Sequence, residues 1–372
     1  MTLPEVSLAQ VNRFLLRKQH LLAPCDDPLT AARDACGLQA QVPSSPALSL
    51  RARVRGFTRA DYDRLIMTER SLVRSWALRG TVHVVPSERL AEYTRVYLHE
   101  PWGYEPGLAG WPAERVAQTL RLLAERPQTR QQLLERAVAE LGVPEAEARR
   151  LYGPWGGLLR TLAMAGQTVH VPAEGADVPL ARTVDWLGQE PGAGASVEAL
   201  EDALLHDYLA GYGPATVRDF AYFTLFKTER IRRILQRAEA SLAEVRVEGS
   251  KLPHYLLAED LPALLATSGS ETAPVRLLPR FDSLLLAYKD KARLLDEADR
   301  PKVFRIAAQV EATVLVNGRV VGTWRFKQTT KSLRFTYSPF RKRGAAASAV
   351  EREARRLADW FGLDDMTFDL LA

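Results

Sequence analysis

The chain consists of long stretches with apolar residues at helical spacing and short stretches in which apolar and polar residues alternate. Alternation predicts strands, and three such stretches follow helical segments, at residues 79–86, 166–172 and 244–249. Short helices followed by a small hairpin are typical of the winged-helix form of the helix-turn-helix, whose last helix enters the DNA major groove. A single copy would fit chance α+β packing, but three copies favour tandem winged helices.

Helix starts carry recognisable capping signals. Ser45 before Pro46 predicts an N-cap followed by proline in the first turn, and Thr129 with Gln132 predicts a capping box. The amphipathic helices that we predict from spacing are at residues 7–22, 28–38, 46–54, 59–68, 145–152, 155–165 and 228–243.

From about Val275 the pattern changes to that of strands, and Asn317-Gly318 suits the type I′ turn of a hairpin. The predicted elements are strands at 275–279, 284–286, 313–316, 319–324 and 332–337 and a helix at 345–361. We therefore expect an α+β, mainly helical fold, with tandem winged-helix units arranged in an arc and a small C-terminal β-sheet or barrel. The expected domains are winged-helix units at 1–110, 111–190 and 191–260 and a β-rich domain at 261–372.

Composition narrows the functional class only slightly. The 372 residues are 47% apolar and 26% charged, as in globular proteins with a substantial core. The net charge of +5 is too small to indicate a nucleic-acid partner by itself. Arg outnumbers Lys, which suits phosphate contacts or reflects a GC-rich genome, and both explanations stay open. No signal peptide or membrane span is evident, so we expect a cytoplasmic protein, associated with the nucleoid when it binds DNA.

Familiar catalytic motifs are missing from the sequence. It has no phosphate-binding glycine loop, HExxH, nucleophile elbow or metal-spaced Cys/His cluster, and Cys25 and Cys36 fit no zinc pattern. We therefore expect neither a metal nor a cofactor. What remains is Gln39-Ala40-Gln41 between two predicted helices, which alone would be only a polar helix end.

Several segments together resemble the AlkZ-like family of winged-helix DNA glycosylases. Leu38-Gln39-Ala40-Gln41 is similar to the family's Gln-apolar-Gln motif, and a sister branch has Asp where this chain has Gln41. The other segments that carry the resemblance are 74–83, 212–216, 277–282 and 316–324. The resemblance implies a monofunctional glycosylase that hydrolyses the N-glycosidic bond of N7-alkylated purines, including bulky or interstrand-crosslink adducts such as those of azinomycin.

Two glutamines fit the chemistry of such a reaction. A purine alkylated at N7 is already cationic and leaves as a neutral base, so little general-acid help is needed. The remaining task is to position a water against C1′, and an amide can do this because it both donates and accepts hydrogen bonds. Residues i and i+2 do not share a face of a regular helix, so we predict an irregular turn at Gln39 to Gln41, with both side chains catalytic.

A crosslinked base stays tethered to the opposite strand, so unhooking requires an open, basic surface on double-stranded DNA rather than a snug pocket. By analogy with the family, the turn of Asn317, Gly318 and Arg319 is a candidate minor-groove probe. The other candidate DNA contacts are Arg51, Arg55, Arg74, Arg79, His83, Lys327, Arg341, Lys342 and Arg343, each of which is individually also compatible with an ordinary surface residue. Whether Asp282 or His83 assists catalysis stays open. We expect a monomer that does not bind membranes.

Two other functions remain compatible with the sequence. A winged-helix transcriptional regulator needs no catalytic group, although a regulator is usually smaller and dimeric. A drug-sequestering resistance protein would bind a free alkylating agent without DNA. Release of free base from alkylated DNA separates the glycosylase from both alternatives.

Overall fold

The computed structural model describes residues 3–98, 107–153, 157–173, 177–341 and 346–371. Within these ranges, no helix combines the length and the apolar character needed to cross a lipid bilayer. The α-helices are α1 Leu8–Lys18, α2 Pro28–Asp34, α3 Ser45–Arg53, α4 Arg59–Asp63, α5 Leu90–Thr94, α6 Ala113–Glu125, α7 Arg130–Leu141, α8 Glu145–Tyr152, α9 Gly157–Met164, α10 Thr183–Leu187, α11 Val197–Tyr212, α12 Val217–Thr224, α13 Thr228–Ala238, α14 Leu261–Ala266, α15 Ser283–Leu286, α16 Arg300–Val303 and α17 Ala347–Trp360. The strands are β1 Glu5–Val6, β2 Leu38–Gln39, β3 Leu72–Ala77, β4 Thr81–Pro86, β5 Thr168–His170, β6 Leu180–Arg182, β7 Leu242–Val247, β8 His254–Leu257, β9 Arg276–Leu278, β10 Thr313–Val316, β11 Arg319–Gln328, β12 Ser332–Pro339 and β13 Asp365–Leu370.

The chain forms two compact units. Unit 1 comprises Met1–Tyr62, His206–Phe223 and Lys227–Ala372, and unit 2 comprises Asp63–Leu205 and Thr224–Phe226. Unit 1 thus takes residues from the first, third and last of the domains expected from the sequence. The winged-helix division is finer than these units and stays a prediction.

A five-stranded sheet in unit 1, in the order β13-β12-β11-β10-β9, confirms the predicted C-terminal β-structure. Along β12, Leu333, Phe335 and Tyr337 are buried while Arg334 between them is exposed, so one face of the sheet is apolar. That face forms one core with α17, which supplies Val350, Ala354, Leu357 and Ala358. The predicted β10–β11 hairpin is present, and its turn residues have the positive φ values of a type I′ turn, 50° at Asn317 and 76° at Gly318.

The apolar run 284–286, predicted as a buried strand, is instead the short helix α15. Its N-cap is Asp282, whose Oδ1 accepts a hydrogen bond from the backbone N–H of Leu284 at 3.1 Å. A short continuous apolar run is equally compatible with a buried strand and a buried helix, so periodicity could not separate them. The cap residue was the informative signal.

The same carboxylate forms a buried ion pair with α3. Arg53 Nη1 and Nη2 donate to Asp282 Oδ2 and Oδ1 at 2.9 and 2.8 Å, and Ser49 Oγ donates to Oδ2 at 2.9 Å. Both charged side chains are 0% exposed. A buried charge is tolerated when it is paired with an opposite charge and hydrogen-bonded, as both charges are here. Asp282 therefore connects α3 to the first turn of α15, and these contacts stabilise the fold.

A second, three-stranded sheet of unit 1 joins distant parts of the chain. Strand β1 pairs in parallel with β7, which pairs antiparallel with β8, and β7 overlaps the predicted strand 244–249. Helix α1 begins at a capping box formed by Ser7 and Gln10, and its buried residues Val11 and Phe14 pack with this sheet. Helix α3 begins one residue earlier than predicted, because Ser44 rather than Ser45 occupies the N-cap position.

Unit 2 contains the antiparallel strand order β4-β3-β5-β6. The predicted strands 79–86 and 166–172 are confirmed as β4 and β5, and the capping box of Thr129 and Gln132 opens α7. Leucines of α6, α7, α8 and α9 share one core. Three helices followed by two short strands are the elements expected of a winged-helix unit, and that assignment stays a prediction.

Candidate active site

Gln39 ends strand β2 of unit 1, and Gln41 lies two residues later, where the chain bends toward α3. The amide nitrogen Nε2 of Gln39 donates a hydrogen bond to Oε1 of Gln41. On a regular helix residues i and i+2 do not share a face, so the non-helical backbone of this segment is what allows the two amides to meet. The segment from Gln39 to Gln41 is not helical and leaves the strand in a bend, which agrees with the irregular backbone predicted there.

The apolar residues of the motif anchor this segment. Leu38 and Ala40 are 1% exposed, so their burial holds the backbone of the motif in place. Gln39 is 6% exposed, whereas Gln41 is exposed to solvent. The pair thus has a fixed inner member and an accessible outer member. The second lone pair of Gln41 Oε1 and its amide N–H groups can orient one solvent molecule.

A cleft of about 450 Å³ in unit 1 begins at the residue that follows Gln41. Its charged lining residues are Arg280, Arg325 and Glu311, and its aromatic ones are Trp324 and Phe326. The remaining lining residues are Val42, Ser44, Ser45, Leu48, Pro279 and Ala312. The glutamine pair therefore lies next to a groove with two cationic side chains, which an anionic DNA backbone can approach.

The carboxylate of the cleft is held between arginines. Glu311 Oε1 accepts from Arg325 Nη2 at 2.9 Å and lies 3.6 Å from Nε of Arg305. Glu311 and both cleft arginines are not among the site residues predicted from the sequence. Alternation along β11, where apolar Trp324 and Phe326 flank Arg325, was the available signal for an exposed cation on this strand.

The predicted cationic contacts of unit 1 have different surroundings. Arg51 is half-buried, and burial lowers its pKa from the ordinary value. Arg55 is exposed and pairs with Asp26 at 2.9 Å, while Arg341 binds Asp299 at 2.9 Å. Lys342 and Arg343 lie outside the described residues. These positions stay predictions as phosphate contacts.

The Asn317-Gly318 turn has contacts with several parts of unit 1. An ideal Cβ at Gly318 would lie 2.9 Å from Leu16 of α1, so the turn packs closely against that helix. Asn317 Oδ1 accepts from the backbone of Ala273 at 3.0 Å, and Arg319 donates to Ala292 O and to Asp296. These contacts fix the shape of the turn, while Asn317 itself is exposed, so the assignment of Asn317, Gly318 and Arg319 as a minor-groove probe stays a prediction.

His83, in unit 2, is also unsuited to a phosphate contact. It is 2% exposed, and burial, with the nearby Arg79 cation, lowers its pKa from 6.5 to about 3. The ring is thus neutral at physiological pH, with Nδ1 2.9 Å from Thr81 O and Nε2 3.5 Å from Arg79. The prediction of His83 as a DNA contact is wrong. Arg74 and Arg79 are half-buried and stay predictions.

Acidic, histidine and cysteine side chains do not assemble a metal centre in the described ranges. No group of three or more of them has a geometry that could hold a metal ion there.

Lys327 is a predicted DNA contact whose side chain is exposed, and it stays a prediction. It is exposed near the end of β11 and faces Arg334 on β12 in the strand register. Arg334 Nε donates to Asp369 Oδ2 at 2.7 Å, so its charge is already balanced and the predicted phosphate contact rests on Lys327. The turn beyond them, residues 328–331, is also exposed.

We expect Lys327→Ala to weaken binding of duplex DNA severalfold and to reduce the slope of log K against log salt by about one, because one phosphate contact is lost. Fluorescence anisotropy over a salt series measures both quantities. The matched control is Lys251→Ala, which removes an exposed lysine that lines neither the cleft nor this hairpin. An unchanged salt slope for Lys327→Ala would remove this hairpin from the DNA interface.

Comparisons with known proteins agree with these features. The family model for "DNA glycosylase AlkZ-like" matches residues 32–360. The "Interstrand DNA cross-link repair glycosylase" of Streptomyces sahachiroi is 31% identical over 370 residues, which are 95% of this chain and 96% of that protein. The solved structure of the Streptomyces sahachiroi DNA glycosylase AlkZ matches with a TM-score of 0.83 and 26% identity, over 99% of this chain and 100% of that one. The chain therefore belongs to the AlkZ-like family of DNA glycosylases, and it is an enzyme.

Proposed function

We propose that this enzyme hydrolyses the N-glycosidic bond of N7-alkylated purines in double-stranded DNA, with Gln39 and Gln41 positioning the attacking water. The observation that carries the proposal is the hydrogen-bonded pair of amides, whose outer member is exposed beside a cleft with two arginines. Two neutral amides can orient a solvent molecule without taking up a proton at any working pH.

The neutrality of the pair suits a cationic leaving group. Alkylation at N7 places positive charge on the purine, and cleavage returns the ring to neutrality, so an acid is not needed to protonate it. The water adds to C1′ and forms the new C–O bond while the bond from C1′ to N9 breaks and its electrons pass to the cationic base, which leaves neutral. The added water then loses one proton to the solvent, which leaves a hydroxyl group on C1′. The amide oxygens stabilise the water and the developing positive charge on the sugar.

Bulky and interstrand-crosslinked adducts belong to the proposed substrates. The Streptomyces sahachiroi relative is named for repair of interstrand crosslinks. A tethered base cannot rotate out of the duplex into an enclosed pocket. Gln41 is exposed, so a water on this side chain can be brought to C1′ with the base still attached to the opposite strand. Azinomycin adducts are one such lesion class.

The decisive experiment incubates the purified protein with duplexes that carry a single N7-methylguanine or a single N7–N7 alkyl crosslink. Mass spectrometry of the released base and alkaline cleavage at abasic sites report the reaction, with undamaged duplex as the control. We expect free alkylated base and one abasic site per lesion. Tight binding without base release would instead support a regulator, and DNA-independent capture of free drug would support a sequestering protein.

A further inference from the structure

One large apolar side chain stands out in solvent. Ile306 is 95% exposed, whereas no other large apolar side chain in the described part of the chain exceeds 53%. It occupies the tip of a short loop closed at its base by a bridge between Phe304 and Val310. Covering this side chain with an apolar partner would remove its surface from water and would therefore be favourable.

Hydrogen bonds hold this loop in a strained backbone conformation. Ala307 and Ala308 both have positive φ, at 57° and 55°, which is unfavourable for residues other than glycine. Arg305 N donates to Gln309 O at 2.8 Å, and Arg280 Nη2 donates to Gln309 Oε1 at 2.6 Å. Strain that the surroundings maintain is concentrated at functional sites.

The base of the loop contacts the cleft beside the glutamine pair. Arg280, which bonds Gln309, lines that cleft, and so does Glu311, which lies 3.6 Å from Arg305. The residues on both sides of Ile306 are therefore joined to cleft-lining side chains. Arg305 directly precedes Ile306, and Arg280 and Arg325 bond Gln309 and Glu311 at the base of the loop. An apolar tip above a base with cations matches a ligand with an apolar interior and an anionic edge, which describes stacked DNA bases between phosphates.

We propose that Ile306 is a wedge that enters the base stack of the DNA beside the lesion. This inference rests on the proposed function. Apolar side chains inserted between base steps unstack them and kink the duplex. A base tethered across the duplex cannot be extruded, so opening of an adjacent step is the movement that remains for exposing C1′ to the water on Gln41.

The test compares Ile306→Ala, Ile306→Leu and the control Leu265→Ala, which truncates a 46%-exposed leucine of α14 in the same unit. Each acts on N7-methylguanine in a fully paired duplex and in a duplex with an abasic gap opposite the neighbouring base, which opens the stack in advance. We expect Ile306→Ala to lower single-turnover excision about tenfold on the paired duplex. On the pre-opened duplex it should match the unaltered enzyme, and the other two variants should match it on both.

A 2-aminopurine next to the lesion gives a readout independent of catalysis. Its fluorescence should rise when the unaltered enzyme or Gln41→Ala binds, and should not rise with Ile306→Ala. Equal excision by Ile306→Ala on the paired duplex, or equal losses on both duplexes, would overturn the wedge while leaving the glycosylase function intact. Absence of base release by the unaltered enzyme, together with a normal 2-aminopurine rise, would instead overturn the glycosylase proposal alone.

Discussion

Replacing Gln39 or Gln41 by alanine is expected to lower single-turnover excision of N7-methylguanine by about a hundredfold or more, with duplex affinity changed less than about twofold. The water loses an orienting group, whereas neither amide carries a charge that attracts phosphate. Because the two side chains share a hydrogen bond, the double variant should be little slower than either single variant. Base release under enzyme excess and anisotropy on the same duplex separate the two effects.

Two further variants sharpen this prediction. Gln41→Asp should retain measurable excision, because a carboxylate can still accept from Gln39 Nε2 and hold a water. Gln131→Ala is the matched control, since it truncates an exposed glutamine on α7. Undiminished excision by both single alanine variants would show that the glutamines do not act in catalysis.

The largest effect on stability is expected for Asp282→Asn, which should lower the free energy of unfolding by about 3–5 kcal/mol. The asparagine amide can still cap α15, but the buried positive charge of Arg53 then no longer has a negative charge at residue 282 to balance it. Urea denaturation followed by circular dichroism measures the change.

Adding Arg53→Met to Asp282→Asn should recover much of this loss, because the buried cation is then removed as well. Asp26→Asn serves as the control, since it breaks the exposed pair with Arg55 and should cause no measurable change. An unaltered denaturation midpoint for Asp282→Asn would mean that the ion pair does not stabilise unit 1.

Local features of the fold were predictable from the sequence. The capping box of Thr129 and Gln132 and the Asn317-Gly318 hairpin depend on residues three or four positions apart, so the sequence contains all the necessary information. The catalytic candidates were found through resemblance to the family, because two glutamines at i and i+2 carry no specific signal by themselves.

Features that depend on distant residues were not predictable. Asp282 and Arg53 are separated by 229 positions, so nothing local distinguishes a buried structural carboxylate from a catalytic one. His83 was a plausible DNA contact until the structure showed its burial, and nothing in the sequence indicated that Arg319 pairs with Asp296. Alternation along a strand predicts which residues share a face of the sheet. Whether a polar side chain on that face is exposed depends on tertiary packing, which the pattern does not contain.

Unit 1 is assembled from segments that are far apart in the sequence, and this delays its folding during translation. Strand β1 at residues 5–6 pairs with β7 at residues 246–247, and Arg53 meets its counter-ion only at Asp282. During translation the segment with both glutamines must wait until more than two hundred further residues have been made. A nascent chain interrupted before that point exposes an unpaired arginine and lacks most of the cleft wall, so truncated products should be substrates for proteolysis rather than partly active glycosylases.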